Sequence, residues 1–281
     1  MKIAYQGRPG AYSENAALQI FGEDSKSIGL DDFTAVYQAV DSGEADAGVL
    51  PIENSTAGSI LENFDLLLQW GLPIVAEIKI QVEHVLMALP QSSVADLEQV
   101  ISHPQALAQC SDFFAQNPHI KPMAFFDTAG SAEEVLQRQD PKLGAIASVL
   151  AAKSNQLQVL RSNLENHPGT NFTRFFAIQK NAAGDTSAHN KISIAFGALD
   201  KHGALYHALG CFARRLVNLL RIESRPKPGS PWEYIFYLDL EGNLAQNAVQ
   251  AALEELKQES AFVKILGSYV NGEHRPMIQR G

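Results

Sequence analysis

The stretch Ala47–Ser59, AGVLPIENSTAGS, sets the fold by its order of residue types. Ala47–Leu50 is small and apolar, which suits a short buried strand. Pro51 is expected to end that strand, because it has no N–H for a ladder. Asn54, Ser55 and Thr56 form a polar turn, and from Ser59 to Gln69 the residues Ile60, Phe64 and Leu67 share one helical face. The same order recurs along the chain. Ile3–Tyr5 is a strand, Gly7, Pro9 and Gly10 a turn, and Ser13–Phe21 a helix with Ser13 as its expected cap. Phe33–Val40 is a second helix. Val100–Ile101 leads through His103-Pro104 into Ala106–Ala115, and Ala124–Phe126 leads into Ser131–Leu136. Ala145–Ala147 leads into a helix that starts at Ser148. Ile74–Leu89 reads as one long extended stretch, alternating at Ile78, Ile80 and Val82, and Phe172–Ile178 as a strong strand. Strands separated by helices of this length predict βαβ units, mostly parallel sheets and an α/β fold.

After Ile178 the composition shifts. Lys180–Asn190, KNAAGDTSAHN, is small and polar and reads as a linker. It predicts one domain over 1–180 and another over 190–281. The second block contains strands at Ile192–Phe196, Val217–Ile222, Tyr234–Leu240 and Phe262–Leu266, with helices at Ala204–Arg214 and Ala245–Gln258. That order is βαββαβ in about ninety residues, the ferredoxin-like arrangement.

A length of 281 residues also favours two domains. Hydrophobic residues make up 46% and charged residues 19%, so the chain can bury a core and is not disordered throughout. Lys and Arg number 22 against 31 Asp and Glu, a formal charge of −9, with no basic block. Nucleic acid and anionic membranes are therefore not expected partners. There is no apolar run of about 18 residues and no signal-peptide core at the N-terminus. The two cysteines, Cys110 and Cys211, provide neither a disulfide framework nor a metal-ligand spacing. These features predict a cytoplasmic location and no metal.

Candidate chemistry gathers at strand-to-helix turns, where open α/β sheets bind ligands. In Gly7–Ser13, free helix amides and the Ser13 hydroxyl suit a carboxylate. Asn54 and Ser55 lie at a second turn, beside Glu53, which is either a buried acid or a brace. His103 and Gln105 lie at a third, where His103 is either a proton carrier or a structural partner. Thr128 and Ser131 lie at a fourth. In Asn171–Phe175, Arg174 sits between aromatics in a strand. Such a guanidinium needs a partner, either a bound carboxylate or an internal ion pair. The turns together point to one cleft for a small polar anion. There is no metal-ligand cluster, no phosphate loop and no nucleophile elbow.

The chain resembles the monofunctional prephenate dehydratases. The resemblance rests on PIENSTAGS (Pro51–Ser59), HPQALAQC (His103–Cys110), DTAGSA (Asp127–Ala132), GAIAS (Gly144–Ser148) and NFTRF (Asn171–Phe175). It extends through GALY (Gly203–Tyr206), ESRP (Glu223–Pro226) and LGSY (Leu266–Tyr269). It implies a two-lobed catalytic domain like a type II periplasmic binding protein, with a second lobe at about 80–170, and a C-terminal ACT regulatory domain. It implies conversion of prephenate to phenylpyruvate, water and carbon dioxide without a cofactor. Thr173 inherits the catalytic role. Ser13, Asn54, Ser55, Gln105, Thr128, Ser131, Arg174 and Phe175 are the substrate-binding candidates. Gly203, Ala204, Leu205, Asn218, Glu223, Ser224 and Arg225 inherit an allosteric phenylalanine site, set in the family at an interface within a homodimer or homotetramer. Ala11 departs from the Thr or Ser common in the first motif. The chain starts at the catalytic strand, so no fused chorismate mutase domain is expected. Prephenate is a dianion with a ring hydroxyl, and the barrier is departure of that hydroxyl, so the site needs carboxylate anchors and an oriented donor. An arogenate dehydratase and a non-catalytic amino-acid sensor are the competing readings.

Overall fold

A computed structural model describes all residues except 182–185, 228, 231 and 276–281. Part of the expected linker therefore lies outside the described residues. The elements in chain order are β1 (Lys2–Gln6), α1 (Tyr12–Phe21), β2 (Lys26–Leu30), α2 (Phe33–Ser42), β3 (Ala47–Asn54) and β4 (Gly58–Ser59). Next come α3 (Leu61–Trp70), β5 (Ile74–Gln81), β6 (Val85–Ala88), β7 (Gln99–Ser102), α4 (Pro104–Gln109), α5 (Ser111–Gln116) and β8 (Lys121–Ala124). They are followed by α6 (Thr128–Arg138), β9 (Leu143–Ala147), α7 (Val149–Ser154), β10 (Gln158–Arg161) and β11 (Phe172–Ile178). The last are β12 (Lys191–Ala198), α8 (Ala204–Ala213), β13 (Leu219–Pro226), β14 (Tyr234–Glu241), α9 (Asn247–Glu259), β15 (Ser260–Tyr269) and β16 (His274–Arg275).

The chain forms two compact units. One holds Met1–Ser59 and Ile78–Phe175, with a short piece from His274. The other holds Ile60–Glu77 and Phe176–Glu273. In the first unit β1 lies between β2 and β3, parallel to both. A second sheet has the order β10-β6-β9-β7-β8. There β7 runs parallel to β8 and β9, while β6 runs antiparallel to β9 and β10. Apolar cores cover both faces of this sheet, one around Met87, Ala145 and Val135, the other around Leu86, Ile146 and Phe113. This is the expected α/β fold, but the sheets are mixed rather than mostly parallel.

In the second unit β13-β14-β12-β15 is antiparallel, the split βαβ order expected from the sequence. Helices α8 and α9 cover one face, over Ile194, Phe196, Leu238 and Leu240. On the other face Phe64 of α3 meets Tyr237, with ring centroids 5.1 Å apart.

Several local expectations change. Pro51 does not end β3. The ladder with β1 stops at Val49 and the pairing with β4 begins at Glu53, so Pro51 falls between the two. Ile74–Leu89 is two strands in different sheets, broken at Val82–His84. Period-two alternation reports which side a residue faces, not where the chain changes sheet. The helix expected over Ala106–Ala115 is broken at Cys110, whose φ of −112° and ψ of 21° leave the helical region. β2 and β10 escape the sequence reading because neither has a fully buried residue.

Candidate active site

The first unit places its strand-to-helix turns with their acceptors already in place. The Glu14 carboxylate accepts from Gly10 N at 2.6 Å and from Ser27 Oγ at 2.7 Å. Helix α1 starts after Ala11, so Ser13 is buried in its first turn and is not the expected cap. Asp127 Oδ1 accepts from Gly130 N at 2.6 Å, and His103 Nδ1 accepts from Gln105 N at 3.2 Å. Ser148 Oγ accepts from Ala151 N at 2.9 Å and donates to Gly10 O at 2.7 Å. The starts of α4, α6 and α7 thus spend a leading amide on their own cap side chain, whereas α1 has no side-chain cap and its Glu14 takes the Gly10 amide that precedes the helix. At Gly7–Ser13, where open amides are expected from the sequence, the first turn of α1 carries no side-chain cap.

The β3 end is organised differently. Asn54 Oδ1 accepts from Thr56 N at 3.0 Å, Ala57 N at 3.0 Å and Thr56 Oγ1 at 2.7 Å. Backbone amides only donate, so the Asn54 side chain has one possible orientation. Its Nδ2 points to β11 and donates to Asn171 Oδ1 at 2.7 Å, Phe172 O at 3.3 Å and Thr173 Oγ1 at 3.0 Å. The Thr173 oxygen thus accepts from Asn54. Its hydroxyl hydrogen has no acceptor among the described residues, so it is available to a ligand.

The direction propagates further. Thr56 Oγ1 has given its hydrogen to Asn54 and accepts from Gln109 Nε2 at 2.9 Å. Gln109 Oε1 then accepts from Asn171 Nδ2 at 2.9 Å and faces His84 Nε2 at 3.1 Å. On its other side the His84 ring meets Tyr12 at 3.2 Å, and the Tyr12 hydroxyl donates to Glu83 O at 2.6 Å. His84 N donates to Glu165 Oε1. His84 is buried, and burial lowers its pKa to about 4 while the Gln109 hydrogen bond opposes the shift. Burial also raises Tyr12, Glu165 and Cys110, the last to about 12. Cys110 is a buried apolar filler with no sign of thiolate character.

Among the described residues, Asn54 and Thr173 are the two substrate-site candidates joined side chain to side chain. Thr173 and Arg174 are neighbours in an extended strand and project to opposite faces. Arg174 Nε lies 3.6 Å from Glu53 Oε2, the distance of an internal ion pair. The Ser55 hydroxyl donates to Thr170 O at 2.9 Å and accepts from Phe172 N at 2.9 Å, so it braces the turn against β11. Ser131 is fully buried and donates back to Asp127 O at 2.7 Å, which takes it out of reach of a substrate. Phe175 is in the core, while Gln105 and Thr128 are half-buried at helix starts. A cavity of about 610 Å³ opens beside the β1 end and α6, with Arg8 set against Asp31, Asp127, Glu133 and Glu134. Four carboxylates around one guanidinium do not favour a dianion there. The sequence reading set Thr56 with Asn54 and Ser55 in the turn but missed Gln109, Asn171 and His84. Gln109 and Asn171 stood inside quoted motifs, whereas His84 carried no local signal.

In the second unit the expected effector residues divide between two faces of β13. Glu223 meets Arg221 Nη2 at 2.8 Å, and Arg225 pairs with Asp65 of α3. Ser224, between them, is exposed on the opposite face. Asn218 Nδ2 donates to Glu241 Oε2 at 3.0 Å. Gly203 opens α8 at φ 70° without a side-chain cap, followed by Ala204 and Leu205. Among the described residues there is no group of three His, Cys, Asp or Glu fit to hold a metal, and no helix is long and apolar enough to cross a membrane.

Comparison with known proteins locates this arrangement. The family model described as prephenate dehydratase matches residues 3–183. Arogenate dehydratase 4, chloroplastic, of Arabidopsis thaliana is 39% identical over 287 residues, spanning 96% of this chain and 67% of the relative. The structure of prephenate dehydratase in complex with L-Phe from Arthrobacter aurescens superposes with a TM-score of 0.89 at 30% identity, covering 99% of this chain and 92% of that one. A structure described as GqqA, a novel type of quorum quenching acylase, gives a TM-score of 0.89 at 36% identity, covering 96% and 98%.

Proposed function

The chain belongs to the prephenate dehydratase family and is a dehydratase, and from that premise we propose that it converts prephenate to phenylpyruvate. The balanced reaction takes up one proton. The prephenate dianion plus that proton gives phenylpyruvate, carbon dioxide and water. The carboxylate carbon bond breaks as the ring hydroxyl leaves, and its electron pair completes the aromatic ring. The thermodynamic drive is in the substrate, so the protein's task is to orient it and to stabilise the departing oxygen.

The observation that supports this reading is the polarity at Thr173. With Asn54 Nδ2 donating to its oxygen, the hydroxyl hydrogen points to whatever occupies the site. A threonine hydroxyl is a weak acid, so it acts as an oriented donor to the leaving oxygen and not as the full proton source. Arg174, paired with Glu53 on the other strand face, is assigned to bracing β3 against β11. An acylase would need a nucleophile within reach of a base. Thr173 instead accepts from a side-chain amide and His103 accepts from a backbone N–H, which favours the dehydratase.

We assign the C-terminal block as an ACT regulatory domain that binds phenylalanine and pairs at least as a dimer. The phenylalanine named in the Arthrobacter aurescens structure supports this. The uncapped start of α8 at Gly203–Leu205 and the exposed Ser224 are its contact candidates. Glu223 and Arg225 are assigned to holding β13 through Arg221 and Asp65.

The deciding experiment offers the purified chain prephenate and arogenate side by side, following phenylpyruvate by absorbance and phenylalanine by chromatography. Phenylpyruvate formation is expected, suppressed by added phenylalanine. Turnover confined to arogenate would move the assignment to that substrate, and turnover of neither would overturn it. In Thr173→Val, kcat should fall about 100-fold or more with KM nearly unchanged. A near-normal kcat would remove Thr173 from the chemistry.

A further inference from the structure

His84 belongs to no motif and touches neither Thr173 nor Asn54, yet it is 2% exposed with a polar group against each ring nitrogen. Its tautomer follows from the bonds already described. The backbone amides of Thr56 and Ala57 fix Asn54 Oδ1. Thr56 then has only an acceptor to offer Gln109, so Gln109 Nε2 faces Thr56 and Gln109 Oε1 faces His84. Asn171 Nδ2 independently requires the same Gln109 orientation. Flipping either amide would set acceptor against acceptor or donor against donor. The imidazole must therefore carry a proton on Nε2. Nδ1 lies 3.2 Å from the Tyr12 oxygen, whose hydrogen goes to Glu83 O at 2.6 Å, so in the neutral ring Nδ1 is a lone pair in polar contact without a hydrogen bond.

We propose that His84, neutral and protonated on Nε2, is a positioning residue that fixes Gln109 and, through Thr56 and Asn171, sets the donor orientation of Thr173. This rests on the dehydratase reading for its kinetic consequence only. The tautomer and the bond to Gln109 belong to the fold. The groups facing His84 are Tyr12 from α1, Gln109 and Cys110 from the α4 end, and the Glu83 and Glu165 segments. Burial that disfavours the imidazolium agrees with a neutral ring at pH 7. Without the Nε2–H, Gln109 loses one of its three hydrogen bonds and is held by Thr56 and Asn171 alone, which loosens its position without reversing its orientation. Displacing a reacting group by about an ångström costs rate up to about 100-fold.

Two measurements on the full chain test this. The first is nitrogen-15 NMR of the histidine side chains in the wild-type protein, assigned by loss of one signal set in His84→Gln. The expected result is a neutral ring with the proton on Nε2 from pH 6 to 8, and a proton on Nδ1 or an imidazolium would overturn the proposal. The second is steady-state turnover of prephenate. His84→Leu fills the space without a donor and should lose about 10- to 100-fold in kcat with KM within about threefold. His84→Gln keeps a donor near the Nε2 position and should restore kcat to within about threefold. Wild-type turnover in a folded His84→Leu, or equal losses in both variants, would refute the positioning role. If His84→Leu does not fold, the wild-type NMR and His84→Gln still decide. If the wild-type chain turns over no prephenate, the dehydratase reading fails while the NMR result judges the tautomer by itself.

Discussion

Around Thr173 partly buried hydrogen bonds run between neutral amides, hydroxyls and an imidazole, whereas around Lys191 buried ones run between ions. Lys191 Nζ lies 2.7 Å from Glu77 Oε2 and 3.8 Å from Asp239 Oδ2, with all three side chains almost fully buried. Ser193 Oγ donates to Asp239 Oδ1 at 2.6 Å, and Tyr269 lies 2.5 Å from the same hydroxyl. The neutral chain has a direction, because each amide or hydroxyl presents a donor on one side and an acceptor on the other. It can transmit an orientation set by two backbone amides as far as Thr173. The ionic cluster has no such direction. Charge attraction is nearly isotropic, and its worth depends on keeping every partner in a place where water cannot replace it. A directional network suits a site that must hold one hydroxyl pointing one way, and an ionic cluster suits a structural junction.

The largest expected effect falls on the ionic cluster. Lys191→Met removes the cation that faces two buried carboxylates and should cost about 3–5 kcal/mol, read as a lower urea midpoint. A variant as stable as wild type would show that the ion pairs do not hold this cluster together, and the contrast would fail.

Acidification comes next. The folded pKa of His84 is lowered to about 4, below an unfolded value of 6.5. Between the two the unfolded state binds more protons, so this stability is present above pH 6.5 and is lost as pH falls towards 4. A shift of that size corresponds to at most about 3 kcal/mol. Glu165, raised by burial, acts in the opposite sense. The stability gap between wild type and His84→Gln should therefore shrink from pH 7.5 to pH 4.5 in denaturant titrations. A gap independent of pH would mean that His84 does not titrate with folding.

Asn54→Asp sharpens the directional side. An aspartate keeps the acceptor for Thr56 and Ala57 but places an acceptor where Nδ2 donated, which draws the Thr173 hydrogen inward. A loss in kcat of about 100-fold is expected, or about 2.7 kcal/mol of barrier, with a smaller change in KM. Unchanged kcat would show that the direction at Thr173 does not matter.

The smallest effect is expected at Gly10. Its φ of +92° and a distance of 2.4 Å from an added Cβ to Ala151 Cα leave no room for a side chain. Gly10→Ala should cost about 1–3 kcal/mol and lower Tm, and an unchanged Tm would mean that this turn can move away from α7.

How far the sequence could be read differs between element and site. Phe172–Ile178 was legible to the residue, because an apolar run flanked by polar segments admits few alternatives. The βαββαβ order of the C-terminal block was legible for the same reason. Pro51 misled, since its effect depends on whether a partner strand asks for its N–H, and β3 pairs on either side of it. Ser131 and Ser55 were chosen for residue type and place, yet their hydroxyls bond to carbonyls that only the fold brings near.

By itself the sequence determined the α/β order, the split βαβ block and Thr173 and Asn54 as site candidates. Those follow from periodicity and from residue types at strand ends, both local properties. The tertiary structure alone decided that Arg174 turns to Glu53, that Glu14 reaches Ser27, and that Tyr12, His84, Gln109 and Asn171 form one chain behind Thr173. Hydrogen-bond direction is a property of groups in contact. Here Asn54 and Thr173 are 119 residues apart in sequence and 3.0 Å apart in space, so no local pattern could carry it.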